Sequence, residues 1–345
     1  TYLAYILFKN SSRNYLKIFS YLTFIFPCLY FIGNWNAAIL TESITISTLV
    51  FIISFLLEYY FNKNSFFITL SLLFILFYST LRDTNSYHIL GFLLSYSALL
   101  YRHNKRLLII AILSIMVGFI YSNLSANNAY GQPEGKRWYV PFLNIVGFEM
   151  LNNPQMLTFF TTQGMPISED LTQKRGLWSK SLDVNGYSLY DDPSLNEFRR
   201  YVLTEGKSDY MKYLILNPSY TFGELLLNVD TVLDLNKKMS FYSKIGIDQR
   251  LYIRISPGTI ILTLLLFICI TIGLRTKRIN YSYLYKPSIF SLSLVAPILG
   301  LAIISYHGDS MEQLRHCLMV PVSLSVSLYI YLFLLIETKS GQEVL

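Results

Sequence analysis

The densest set of chemically capable side chains in the sequence is the run His307-Gly-Asp309-Ser-Met-Glu312-Gln-Leu-Arg315-His316. Asp309 and Glu312 are three apart, so one helical turn brings them to a shared face, and Arg315 and His316 follow within a turn. Carboxylates so placed suit a hydroxyl proton or a divalent metal, and the cationic pair suits an anionic headgroup. The run matches no established metal-ligand motif, so no cofactor is assigned and a divalent metal stays a suggestion. A solvated loop with ordinary interfacial anchors fits the same residues, and pairing of Asp309 with Arg315 fits both. Glu42, in Trp35-Asn-Ala-Ala-Ile-Leu-Thr-Glu-Ser43, reads in two ways. Either Thr41 or Ser43 caps a helix whose N-terminal dipole Glu42 favours, or Glu42 is a carboxylate facing an outer cavity. Arg82-Asp83-Thr-Asn85 is either a turn with a local Arg–Asp pair or a place where the planar fork of Arg82 holds a phosphate.

These residues sit between apolar stretches, and the composition says what those stretches are. Of 345 residues, 53% are hydrophobic and 14% charged, against about 25% charged in a soluble domain. The mean hydropathy is +0.41. Surplus apolar surface must therefore face something other than water. Seven runs can span a membrane, about Tyr15–Ile32, Ile44–Tyr60, Ser65–Leu81, Tyr87–Tyr101, Leu107–Leu124, Pro257–Leu274 and Ser288–Tyr306, and an eighth follows at Cys317–Ile336. Tyr87–Tyr101 is short and reads as a half-buried or re-entrant helix. No run carries Lys, Arg or Asp at its middle, and Glu58 lies near one end, as the cost of a central charge requires.

The net charge of +7 is a topology signal and not a nucleic-acid footprint. Lys9, Arg13, Lys17, Lys63, Arg102, Lys105, Arg106, Arg275, Lys277, Arg278 and Lys339 all fall in every second connection, which places those connections in the cytoplasm. The alternate connections then face outward: Gly33–Ser43, Arg82–Ser86, Asn123–Ile255 and His307–His316. The expected organisation is residues 1–124 as N-terminal transmembrane helices, 125–255 as an extracytoplasmic loop or domain, and 256–345 as C-terminal transmembrane helices with a short cytoplasmic tail. The apolar Thr1–Phe8 is too short to span, so the chain reads as beginning inside a helix. Cys28, Cys269 and Cys317 lie in or beside apolar runs at no metal or disulfide spacing and read as small apolar residues. No P-loop, dinucleotide-binding glycine pattern, HExxH or GxSxG is present, so nucleotide-driven chemistry has no support. The lack of charges along the helix middles argues against an ion-driven transporter.

Within the outer segment, Val140–Leu151 and Leu157–Thr161 read as helices. Pro193 opens another, capped by Asp191 or Asp192. Asp209–Leu216 is a further helix, stopped by Asn217-Pro218, and Tyr220–Leu235 is apolar at helical spacing, as in a helix lying along a membrane surface.

Two stretches, Ile39-Leu-Thr-Glu-Ser43 and Leu81-Arg-Asp-Thr-Asn85, at successive outer connections, resemble the middle helices of the GT-C superfamily of membrane glycosyltransferases. Pro141-Phe-Leu-Asn-Ile-Val146, Phe159-Phe160 with Gly164-Met-Pro166, Tyr190-Asp-Asp-Pro193, Tyr213-Leu-Ile-Leu-Asn-Pro218 and Gly308-Asp-Ser-Met-Glu312 with Arg315-His316 resemble a group of poorly characterised bacterial multispanning proteins. The resemblance implies an all-α integral membrane bundle of GT-C type in a bacterial inner membrane, with a largely helical extracytoplasmic segment. The charge alternation, which puts Glu42, Arg82, Asp83 and the Asp309–His316 run on the same side as Asn123–Ile255, reads that segment as a lid or acceptor platform over a shared outer cavity. The resemblance carries further expectations. It implies a polyprenyl-phosphate-linked sugar donor and a glycan, lipid or protein acceptor. Such enzymes generally carry an Asp or Glu in their first outer loop, which would lie upstream of Thr1. Glu42 would then be a second acidic residue near the reaction. Arg82, Arg315 and His316 would bind the donor phosphate, and Asp309 and Glu312 the acceptor or a metal. The competing expectation is a non-catalytic membrane subunit or assembly protein whose outer segment binds a partner.

Overall fold

A long apolar run satisfies its own backbone groups as a helix, and in the computed structural model the described parts of these runs are helical, while residues 22–32 of the first run and 257–267 of the sixth lie outside the described residues. The structure describes residues 2–12, 14–21, 41–127, 136–233, 268–273, 275–276, 285–308, 310, 313, 317 and 319–342. Among the described residues the regular structure is helical and no strand occurs. Among the described residues four helices are long and apolar enough to cross a membrane, over Ser43–Asn62, Lys105–Asn127, Tyr285–His307 and Met319–Glu337, and Ser65–Leu81 is a shorter apolar helix. The chain forms two compact units.

The first unit comprises residues 1–122, 233–301 and 318–345. Its helices are α1 (Tyr2–Lys9), α2 (Asn14–Ser20), α3 (Thr41–Asn62), α4 (Ser65–Leu81), α5 (Asp83–Leu100), most of α6 (Lys105–Asn127), most of α14 (Tyr285–His307) and α15 (Met319–Gln342). Between α3 and α4 the turn is two residues: Lys63 takes a positive φ of 55°, and the Asn64 side chain caps α4 by accepting from the Phe66 N–H. Glu58, buried near the end of α3, accepts from Lys9 Nζ at 3.2 Å and Asn62 Nδ2 at 2.8 Å, tying α1 to α3.

The expected short segment Tyr87–Tyr101 is a full helix, α5, that starts four residues earlier. The hydroxyl, amide and imidazole side chains in it lower its hydropathy, and they are buried: Asn85, Ser86, His88 and Ser95 all turn inward. Asn85 Nδ2 donates to the Tyr78 carbonyl at 2.9 Å. His88 Nδ1 meets the Tyr78 hydroxyl at 2.9 Å.

Where α5 crosses α14, the backbones come close. A Cβ added at Gly91 would lie 2.1 Å from Pro297 Cβ, the close approach that small residues permit between membrane helices. Pro297 lies inside α14 and has no N–H, so the carbonyl four residues earlier loses its helical donor. That carbonyl is Ser293, and Ser95 on α5, one turn from Gly91, donates its hydroxyl to it at 2.9 Å.

Helix α6 is the least covered of the spanning helices, with 22% of its most apolar window buried. Ile109, Leu113, Val117, Ile120 and Tyr121 are exposed along it, an apolar surface suited to lipid.

The second unit comprises residues 123–232 and 302–317. Its elements after the end of α6 are α7 (Tyr139–Phe148), a 3-10 turn (Met150–Asn152), α8 (Pro154–Thr162), α9 (Glu169–Gln173), a 3-10 turn (Pro193–Leu195), α10 (Asn196–Tyr201), a π-helical turn (Val202–Gly206), α11 (Lys207–Leu216), α12 (Pro218–Leu227) and α13 (Val229–Leu233). The expected helices at Val140–Leu151, Leu157–Thr161 and Asp209–Leu216 are met to within a few residues, whereas the expected Tyr220–Leu235 helix is broken at Asn228 into α12 and α13, with 234–235 outside the described residues, and α9 is not among those expected. Asp192, one of the two proposed caps, accepts from the Ser194 N–H at the Pro193 turn. Asn217 ends α11 and Pro218 opens α12.

A core of Phe142, Val146, Met150, Met156, Phe160, Leu171, Leu195, Phe198, Tyr210 and Tyr213 holds the unit together. Aromatic contacts run through it, Phe142 to Tyr210 at 5.8 Å and Phe160 to Tyr213 at 6.1 Å between centroids. Gly147 on α7 sits against the chain at Leu177, where an added Cβ would lie 2.1 Å from the Leu177 carbonyl oxygen. Its own carbonyl accepts from Gly176 N at 2.9 Å.

The stretch after α9 has little regular structure and is held by charge. Lys174, with no exposed side-chain surface, places Nζ 2.6 Å from Asp183 and 2.7 Å from Asp192, and donates to the Tyr187 carbonyl at 3.0 Å.

Candidate functional site

Among the described residues of the second unit, Glu149 is a carboxylate that accepts from two side-chain hydroxyls. The apolar residues of α7 face the core and carry the chain to Glu149, which caps the helix C-terminus with its N–H on the Ile145 carbonyl. A carboxylate there faces the negative end of the helix dipole, an unfavourable place for it. Two hydroxyl donors offset that cost. Tyr220, in the first turn of α12, donates to Glu149 Oε2 at 2.9 Å, and Ser310, just beyond α14, donates to Oε1. Pro218 fixes the start of α12, and so sets the position of Tyr220 two residues later.

His307, the last residue of α14, is buried beside this group. Its ring lies 5.7 Å from that of Tyr220 and 5.0 Å from that of Tyr306. Nε2 lies 2.9 Å from the Thr221 carbonyl. A carbonyl can only accept, so Nε2 carries the proton, and the neutral ring keeps a lone pair on Nδ1. Nδ1 is buried with no hydrogen-bond partner among the described residues. The His307 carbonyl accepts from the Tyr210 hydroxyl at 3.0 Å. Burial, and then the Glu149 charge and its hydrogen bond, push the Tyr220 hydroxyl well above the usual phenol range. Burial and Glu149 do the same to Tyr210. Both phenols therefore stay protonated and act as hydrogen-bond donors to the groups they face.

The chemistry available is that of a carboxylate ringed by hydroxyls. A guest hydroxyl that displaced Ser310 or Tyr220 from Glu149 would meet a proton acceptor. No three His, Cys, Asp or Glu side chains come together in a way that could hold a metal among the described residues.

The residues singled out from the sequence fall as follows. Glu42 is the second residue of α3. Arg82 is the shared, extended cap between α4 and α5, half-buried, at φ −151° and ψ 147°. Asp83 opens α5, where its charge favours the helix dipole. Asp309, Glu312, Arg315 and His316 lie outside the described residues. Ser310, within the same run, is the member that meets Glu149. Sequence reasoning passed over Glu149 and Tyr220. The available signal was an acid at the C-terminal end of an apolar helix, where the dipole disfavours it.

Among the described residues, fold and site thus define a helical protein with four helices able to cross a bilayer and a carboxylate that accepts from two hydroxyls in its second unit. No protein-family model matches the chain, and no curated protein and no solved structure matches it either.

Proposed function

We propose that the chain acts as a membrane glycosyltransferase of the GT-C kind. It transfers a sugar from a polyprenyl-phosphate donor to a glycan, lipid or protein acceptor on the non-cytoplasmic face of a bacterial-type inner membrane. The alternation of basic connections supports that orientation. The observation that carries the reading is the meeting of Glu149 with Ser310 and Tyr220, because glycosyl transfer needs a carboxylate that can receive the proton of an acceptor hydroxyl. In that reaction the acceptor oxygen bonds to the anomeric carbon and its proton passes to the carboxylate. The bond from that carbon to the phosphate oxygen breaks, and polyprenyl phosphate leaves with the electron pair. Positive groups offset the charge growing on the phosphate. Arg315 and His316 are the proposed phosphate partners nearest in sequence to Ser310, with Asp309 and Glu312 toward the acceptor. Arg82 and Glu42 are retained as residues to be tested beside them.

The test reconstitutes the full-length protein in vesicles with radiolabelled polyprenyl-phosphate sugars and follows transfer. The expected result is transfer by the wild type, a loss of about 10²–10⁴-fold in Glu149→Gln, the range for a missing general base, and weaker donor use in Arg315→Ala and Arg82→Ala. Undiminished transfer by Glu149→Gln would remove that residue from the chemistry. No transfer by the wild type from any of the polyprenyl-linked sugars would overturn the enzyme reading in favour of a non-catalytic subunit.

A further inference from the structure

Helices α11 and α12 present apolar side chains that the second unit does not cover. Met211 and Ile215 are one turn apart on α11, followed by Leu216, and Phe222 and Leu226 are one turn apart on α12, followed by Leu227. All are exposed, Ile215 at 72% and Leu227 at 82%. The inward sides of the same helices carry Tyr213, Leu214, Thr221 and Leu225, all buried. Between the exposed charges Lys212 and Asp230, the other exposed residues are Pro218 and Ser219, and Glu224, the single charge in the stretch, is half-buried. A surface that meets water or a soluble partner carries a charged or polar rim. Here, between Lys212 and Asp230, no charge is fully exposed and Ser219 is the one exposed polar side chain.

The height of these helices follows from contacts inside the same unit. Helix α14 has 23 residues, about 34 Å at the helical rise, which matches a hydrocarbon core of about 30 Å. An apolar helix of that length that crosses a bilayer ends at the membrane interfaces, and His307, the last residue of α14, belongs to the second unit. His307 is bonded to both helices: its Nε2 to the Thr221 carbonyl of α12 at 2.9 Å, and its carbonyl to the Tyr210 hydroxyl of α11 at 3.0 Å. These bonds hold α11 and α12 against His307, the end of an apolar helix able to cross a membrane.

We infer that α11 and α12 form an apolar foot that rests in the lipid interface at the end of α14, with Ile215, Leu216, Phe222, Leu226 and Leu227 among the upper acyl chains. Interfacial helices bury their apolar side about 5–10 Å into the headgroup–acyl boundary. The occupant is lipid, and the inference stands whether or not the chain transfers sugars.

The test places single Trp residues in the full-length protein, Leu226→Trp and Leu227→Trp, with Val184→Trp as control, since Val184 is 94% exposed in the same unit. These exposed sites have room for the larger ring. Each variant is reconstituted in phosphatidylcholine and phosphatidylglycerol vesicles, with and without bromine atoms high on the acyl chains. The emission of the added Trp is taken after subtracting the parent. The expected result is blue-shifted emission at 226 and 227, quenched by bromine about threefold more than at 184, as contact with the upper acyl layer requires. Quenching at 226 and 227 no greater than at 184 overturns the inference, and that outcome includes the case in which a second copy or a soluble partner covers the helices.

Discussion

The crossing of α5 and α14 gives a prediction whose size follows from geometry. Pro297 strips the Ser293 carbonyl of its helical donor, and the Ser95 hydroxyl replaces it at 2.9 Å. In Ser95→Ala the carbonyl is left buried without a donor. An unsatisfied buried group costs about 1–3 kcal/mol, while interhelical hydrogen bonds between membrane helices average about 0.6 kcal/mol and reach about 1.7. Ser95 has no exposed surface, so the upper part of the membrane range, about 1–1.5 kcal/mol, is expected. Pro297→Ala restores an N–H at 297, lets the helix satisfy Ser293 by itself, and keeps the Cβ that packs on Gly91. In that background Ser95→Ala costs close to nothing. The double-mutant cycle should therefore return a coupling of about 1 kcal/mol or more. Reversible unfolding of the full-length protein in detergent, followed by denaturant titration of the four variants, measures it. Additive effects within about 0.3 kcal/mol would mean that Ser95 does not stand in for the missing N–H.

Gly91→Leu should prevent assembly of the first unit, because no side chain fits against Pro297; protease resistance of the membrane helices reads this out. In the second unit, Gly147→Ala should destabilise by about 1–3 kcal/mol through overpacking against Leu177. Gly223→Ala, where an added Cβ meets nothing within 4 Å, should stabilise by up to about 1 kcal/mol; hydrogen exchange over residues 139–227 separates the two, and equal effects would refute the packing argument. The Lys174 cluster sets a pH response. The Lys174 hydrogen bond holds Asp183 down to about 2, and hydrogen bonds from Lys174 and Ser194 overcome burial to lower Asp192. The stabilisation from both is present above the ordinary value of 3.8; that from Asp183 disappears as pH falls toward about 2, and that from Asp192 is lost as pH falls through its lowered value. For Lys174, burial is outweighed by the two aspartates and the pKa rises, so its contribution holds below 10.5 and is lost at higher pH. Lys174→Met should weaken the unit at neutral pH and recover part of the loss on acidification, the reverse of the wild type, as thermal unfolding followed by the fluorescence of Trp138 and Trp178 would report.

Much of this organisation could be read from the residues. The four helices able to cross a membrane among the described residues are legible because an apolar run of that length has few other fates, and Asp192, Asn217 and Pro218 mark turns of the second unit by local chemistry. Helix α5 was underestimated because Asn85, Ser86 and His88 look like a polar connection until Tyr78 is placed beside them. Lys174 reads as a solvated lysine because nothing local says that Asp183 and Asp192 close over it. The Glu149 group was hidden for a plainer reason: Ser310 is 161 residues from Glu149 and Tyr220 is 71. No spacing rule carries information over such separations.

The clasp at Lys174 has a consequence for how the second unit responds to its surroundings. Residues 123–232 contain no cysteine, and the 174–192 stretch is cross-linked by an ammonium between two carboxylates where a secreted module would often use a disulfide. Reducing agents leave such a clasp untouched, and it needs no oxidase or isomerase to form. Its strength tracks proton activity instead, so for this segment strong acid plays the part that a reductant plays for a sulfur-stapled one.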